Sequence, residues 1–377
     1  MSLVNNAIVA LQEYPEIERK IFSVLRAVAP ITWHLPVWVK AYENNGTILV
    51  TKYADVIEVL NRNKDFETVF APRMTALTNG QNFFLGMPYG NEFTQDIENM
   101  RECVNFLDVQ ILGQRALKMA RIRAMQPISD IENFAGLIVA EIMLDYFGLT
   151  RIAPADLLLT TTLMFAYLFT DTQADPYLDK QALAASARMN AAVDAAIATR
   201  KTSGLKYDDV LGRALIIQAA GRPRMDDVSI RNNFMGTIAG AVPSIAQAAA
   251  NIVKQLQMPG IKDAAADAAR AGTDETWLGY VMEGWRFNPI DIIMYRRAVR
   301  DTKLRYRNIP NDTMVILGTF SAMFDPDKID NPDSFVPGRP DDNYLFFGHG
   351  MHECFGKYIT RAVLPSILKP IMAKGVQ

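Results

Sequence analysis

The 377-residue chain has two cysteines, and only one of them stands among residues that could make it a reagent. Cys354 ends the run Phe347-Gly348-His349-Gly350-Met351-His352-Glu353-Cys354, Gly356 follows two positions on, and a helix-like segment begins directly after. Glycines let a backbone turn tightly and approach a flat ligand closely. A cysteine at the start of a helix feels the positive end of the dipole and the unpaired N–H groups there, which favours thiolate. Thiolate is the strongly donating axial ligand that a haem iron takes. Cys103, in Arg101-Glu102-Cys103-Val104, has no such frame and reads as a small buried hydrophobe. Three histidines in the whole chain argue against a multi-histidine metal centre.

The elements that must position this loop read mostly as helix. Apolar residues recur at helical spacing over 55–63, 131–148, 182–200, 227–256, 260–271 and 274–287. Two short β-branched runs, 46–52 and 313–319, read as strands. No β-α-β alternation runs through the chain, which disfavours a doubly wound parallel sheet. The expected class is mainly α with small β-sheets. Proline and glycine cluster over 325–350, a loop too long and too rich in turn residues to be a plain connector.

Phe347-Gly348-x-Gly350-x-His352-x-Cys354-x-Gly356 resembles the haem-binding loop of the cytochrome P450 family at every usual position. Further landmarks extend the resemblance from about residue 35 to 372. Glu283 and Arg286, in VMEGWRFNP, resemble the Glu-x-x-Arg pair of the family's K helix, and FVPGRP at 335–340 resembles its meander motif. The resemblance implies that Arg339 completes a bracing network with that pair. It gives Arg296, in YRRAVRD, and His352 to the haem propionates, a role that suits the guanidinium fork. It implies one domain over residues 1–377, the cytochrome P450 fold, haem b as cofactor, and an apolar small molecule as substrate. A ferredoxin-type protein is the implied electron donor, although Lys357 and Arg361 are too few to mark a docking patch.

Three departures stand out. In MGTIAGAVPSIAQ, Ala239 and Gly240 match the small residues that leave room for oxygen on the family's I helix. The acid and alcohol expected next are replaced by Val242 and Pro243, which have no side-chain proton to give. Ser244 could substitute if the proline kinks the helix; equally, Pro243 could simply kink a helix that is kinked in the family anyway. Where the family has His-x-x-x-Arg on its C helix, Phe93 stands in the histidine's place and Arg101 is the nearest cation. Only 23 residues follow Cys354, so the terminal hairpin usual in the family is expected to be lacking.

Monooxygenation is the reaction the resemblance implies. Use of peroxide or of a fatty-acid hydroperoxide is the alternative raised by Val242-Pro243, and a non-catalytic haem binder is a further one. Candidate pocket residues are Phe83, Phe84 and Leu85, then Ala241 and Val242, then Ile292, Ile293 and Met294, each of which could equally fill core. Residues 157–172 fall where the family has a mobile lid.

Composition bounds the rest. Half the residues are hydrophobic, 21% are charged and the net charge is −2, which are globular proportions without the basic excess of a nucleic-acid binder. Two cysteines make no disulfide framework, and the N-terminal segment lacks the basic start of a signal peptide. No unbroken run approaches the roughly 20 apolar residues of a membrane span. Cytoplasmic location is the expectation.

Overall fold

The computed structural model describes residues 14–149, 151–204 and 207–375. These fall into two units. The first holds the described residues up to Val69, Thr172–Ala174 and Asn251–Cys354; the second holds Phe70–Asp171, Asp175–Ala250 and the described residues from Phe355 on.

The first unit carries the sheets. Its strands are β1 (Thr47–Val50), β2 (Phe66–Glu67), β3 (Met294–Ala298), β4 (Thr302–Leu304), β5 (Arg307–Ile309) and β6 (Met314–Leu317). The larger sheet runs β1-β6-β3-β2, with β1 parallel to β6 and the other pairs antiparallel; β4 and β5 form a separate hairpin. β6 is buried along its whole length, which is why it reads as an unbroken apolar run instead of alternating. Phe22, Val56, Leu60, Phe66, Phe320 and Leu345 belong to the core packed on this sheet. In β3, Arg296 lies opposite Val315 and Arg297 opposite Met314.

The second unit is helical. Asp108–Arg123 and Lys357–Lys374 pack along each other, with the α-carbon of Gly113 close enough to Ala362 that an added Cβ would sit 3.3 Å from its methyl. Side-chain caps set helix starts in both units: Asp130 accepts from the Asn133 N–H ahead of Ile131–Phe147, and Thr273 from the Thr276 N–H ahead of Asp274–Phe287.

The helices read from periodicity are present within a few residues, the main difference being that 182–200 is the middle of a longer helix, Pro176–Ser203. Residues 157–172 form Pro154–Phe165 and a π turn, Ala166–Thr170. This segment is tied down: Arg73 donates to the Tyr167 carbonyl and pairs with Asp171 at 2.7 Å. The Asp227–Leu256 helix is long and apolar enough to cross a membrane by length and composition alone, and 56% of its most apolar window is buried. Nothing described follows Lys357–Lys374 but Gly375.

One buried acid marks a cost in the first unit. Glu18, on Pro15–Val28, is 3% exposed, and its Oε1 has no partner. Burial pushes its pKa up to about 7. A carboxyl whose pKa is raised on folding contributes stability below its unfolded value and loses it as pH rises through the folded one. Glu18→Gln is therefore expected to leave stability unchanged near pH 4 and to raise it above pH 8, by up to about 3 kcal/mol; urea denaturation at the two pH values checks this.

Candidate functional site

The best-held ionic group of the first unit is Glu283. It and Arg286, one helical turn apart on Asp274–Phe287, are both 0% exposed. The guanidinium grips the carboxylate in a fork, Nη2 to Oε1 at 2.7 Å and Nε to Oε2 at 2.9 Å. Oε1 also accepts from the Val336 N–H at 2.9 Å and from Arg339 Nε at 3.1 Å. Arg286 then donates to the Met323 carbonyl, and Arg339 to the carbonyls of Asp330, Asn331 and Ser334. The expected network of Glu283, Arg286 and Arg339 is thus formed, and it anchors the long loop that leads to Cys354.

The cysteine loop itself turns on two glycines. Gly348 and Gly350 have φ of +73° and +72°, where any other residue is strained. A Cβ on Gly350 would also come within 3.1 Å of Asn61 and 3.2 Å of the Leu60 carbonyl. The Cys354 N–H donates to the Phe347 carbonyl at 2.7 Å, and the Trp285 indole stacks on Phe346 at 4.3 Å. Held this way, Cys354 is exposed, whereas Cys103 is buried and its thiol is pushed up to about 12 by that burial. Cys103 is thus the small buried hydrophobe expected of it.

Arg296 and His352 of the same unit lie close enough for the charge of one to act on the other. Arg296 is buried on β3; one Nη donates to its neighbour's carbonyl, at Tyr295, and its Nε has no partner. Burial brings its pKa down to about 10. His352 is pushed down to about 3, first by burial and then by the Arg296 charge. Ile292, Ile293 and Met294 are partly buried against the core, and the Met294 sulfur lies 3.8 Å from where a Gly348 Cβ would be.

In the second unit, the Asp227–Leu256 helix shows two faces over the segment of interest. Ala239, Val242 and Pro243 point into packed core, while Gly240, Ala241 and Ser244 keep accessible surface. A Cβ on Gly240 would meet nothing within 4 Å. Pro243 has no N–H for the Ala239 carbonyl, and the Ser244 hydroxyl donates back to the Gly240 carbonyl. Phe83 lies flush on the same helix, where only Gly236 admits it. Phe83 and Phe84 are buried and Leu85 half-buried. Arg101 is exposed on Asn91–Cys103, and Phe93, in the place of the expected histidine, is buried there.

Residues 280–373, carrying both the Glu283 network and the cysteine loop, match the family model described as cytochrome P450. The chain is 31% identical over 171 residues to erythromycin C-12 hydroxylase of Saccharopolyspora erythraea, covering 44% of this chain and 41% of that protein. It is 28% identical over 186 residues to a bifunctional dioxygenase–epoxy alcohol synthase of Fusarium oxysporum, covering 45% of this chain and 14% of that one. The matches thus span less than half of these curated relatives. A solved structure of P450BioI with an acyl-carrier-protein-bound hexadec-9Z-enoic acid superposes with a TM-score of 0.82 at 17% identity, over 97% of this chain and 92% of that one. The chain has the cytochrome P450 fold, and residues 280–373 carry that family's sequence pattern.

Haem b is the prosthetic group of that family, whose members are haem-thiolate oxidoreductases. Haem b presents an iron and two propionates. This chain has an accessible cysteine for the one, and for the others a buried guanidinium with an orphan Nε beside a histidine. The donor set fits. Asp291 is the residue that the reading of the sequence passed over: a lone acid inside Ile-Asp-Ile-Ile-Met, a run taken as apolar lining.

Arg286→Leu would leave Glu283 buried without its cation and is expected to cost about 3–5 kcal/mol, read by urea denaturation. Arg296→Leu should act in opposite directions on two readouts. Removing an uncompensated buried cation raises the stability of the haem-free protein, while loss of haem to an acceptor protein becomes about tenfold faster.

Proposed function

We propose that this protein is a cytochrome P450 monooxygenase acting on a largely apolar small molecule in the cytoplasm, with electrons from a ferredoxin-type donor. The observation that carries the reading is the accessible Cys354 thiol on its pinned loop, in the same unit as the buried Arg296, whose Nε has no partner. Haem bound there supplies the oxidising chemistry: one oxygen atom enters the substrate, and the other leaves as water with two electrons and two protons. To Cys354 we assign the axial ligand, with Phe347, Gly348, Gly350 and Gly356 shaping its loop, and to Arg296 and His352 the propionates. Gly240 and Ala241 leave room for oxygen, and Ser244 is the nearest hydroxyl to the missing acid–alcohol pair. Phe83, Phe84, Leu85, Ile292, Ile293 and Met294 offer apolar lining.

A second reading, hydroperoxide chemistry without a reductase, is favoured by one observation. Val242 and Pro243 belong to the core face of their helix, and the Ser244 hydroxyl is bonded to backbone. Rearranging a ready-made O–O bond makes no demand on an acid–alcohol pair. The relative named as an epoxy alcohol synthase is consistent with this reading.

Purified ferric protein given a polyunsaturated fatty-acid hydroperoxide, with no reductant, separates the two. Monooxygenation predicts no catalytic conversion until ferredoxin, its reductase and a nicotinamide donor are added, with all activity lost in Cys354→Ala. Rapid conversion without reductant, also lost in Cys354→Ala, would overturn it in favour of the second reading.

A further inference from the structure

Between Arg286 and Arg296 the chain carries one charge, Asp291. Its backbone is fixed on both sides: the Pro289 carbonyl accepts from the Asn251 side chain at 3.2 Å, and the Ile292 carbonyl accepts from the Phe320 N–H at 3.1 Å. Ile292, Ile293 and Met294 follow it, each partly buried against the core, and Met294 lies beside Gly348 of the cysteine loop. Three residues of chain reach at most about 11 Å, so Asp291 lies within that span of Met294. Its side chain is neither sealed nor fully open, since it keeps intermediate exposure. No hydrogen bond or ion pair reaches it among the described residues. Burial pushes its pKa up to about 6 with nothing to offset it.

A desolvated carboxyl without a partner costs folding free energy, so its retention on an accessible surface asks for a ligand group. Two roles are open to it. A proton relay needs a chain of hydrogen bonds leading to and from the acid, and no described group donates to Asp291. A recognition site needs only a fixed, accessible carboxyl beside apolar surface, and that is what the segment provides.

We propose that Asp291 is a specificity-determining residue that recognises a protonated amine on an otherwise apolar substrate. This rests on the monooxygenase reading and narrows its substrate class. Ile292, Ile293 and Met294 hold the hydrocarbon portion, and the carboxylate takes the ammonium through a charge-assisted hydrogen bond.

The test is calorimetric titration of the haem-loaded protein with N,N-dimethyldodecylamine, dodecanol and dodecanoate. The amine is expected to bind about 10- to 100-fold more tightly than the alcohol. Asp291→Asn should remove that preference while leaving dodecanol affinity and haem content unchanged, and Asp291→Glu should retain part of it. Preference for dodecanol or dodecanoate, no measurable amine binding, or equal losses for amine and alcohol in Asp291→Asn would overturn the proposal. So would lost turnover with amine affinity intact, which would make Asp291 a proton donor instead. Failure of the wild-type protein to take up haem would sink the monooxygenase reading alone, because calorimetry on the haem-free protein still reports the amine preference.

Discussion

A fully buried ion pair stands at the centre of the first unit. Taking a carboxylate and a guanidinium out of water is expensive, and a pair alone rarely recovers the cost. Glu283 and Arg286 recover it by recruiting backbone. The carboxylate takes the Val336 N–H and Arg339, and the two guanidiniums take the carbonyls of Met323, Asp330, Asn331 and Ser334. Those groups belong to a stretch with little regular structure, whose buried backbone would otherwise be unpaired. The ion pair is therefore less a source of stability than the means by which an irregular loop acquires one conformation. The cysteine loop begins where that network ends, at Tyr344, whose hydroxyl approaches Glu283 at 3.4 Å.

The cysteine loop shows the same economy on a smaller scale. Two glycines at positive φ carry the backbone through turns that a side chain would obstruct, and one N–H bond from Cys354 to Phe347 closes them. Cys354 is left exposed by this geometry and not by lack of packing around it, since Phe346 stacks on Trp285 and Phe347 meets it edge-on, on the helix that bears Glu283. One helix thus organises both the long loop, through charge, and the cysteine loop, through aromatic surface.

Much of this was legible in the residues. A glycine frame around one cysteine, and a Glu-x-x-Arg pair followed by an arginine-bearing meander, are local patterns with fixed spacing, so sequence carries them directly. Helices such as Asp227–Leu256 and Asp274–Phe287 were legible because one face must be apolar at a period of 3.6. The faces of residues 239–244 were less so. The motif marks Val242 and Pro243 as the functional pair, yet burial assigns them to the core and gives accessibility to Gly240, Ala241 and Ser244. That outcome depends on which neighbours surround the helix, and those come from distant parts of the chain. β3 was seen only as a motif, because five residues with two arginines make a poor strand signal until β6 pairs with them. Asp291 was hidden by its neighbours, since one acid in an apolar run reads as an interruption of the lining.

Asp291 and Arg296 also constrain each other's interpretation. They are opposite charges on one short segment, both desolvated, and a direct pair would relieve both. Neither relieves the other: burial alone accounts for the shift of each, upward for the acid and downward for the base. The Ile292 carbonyl bond to Phe320 and the start of β3 fix the intervening backbone, and no hydrogen bond or ion pair joins the two side chains. Two desolvated groups of opposite sign that do not pair call for two different partners, an acidic group for the Arg296 Nε and a basic one for Asp291. The propionates of haem answer the first. The second has no counterpart among the described residues or in the prosthetic group, and the proposed substrate amine would supply it.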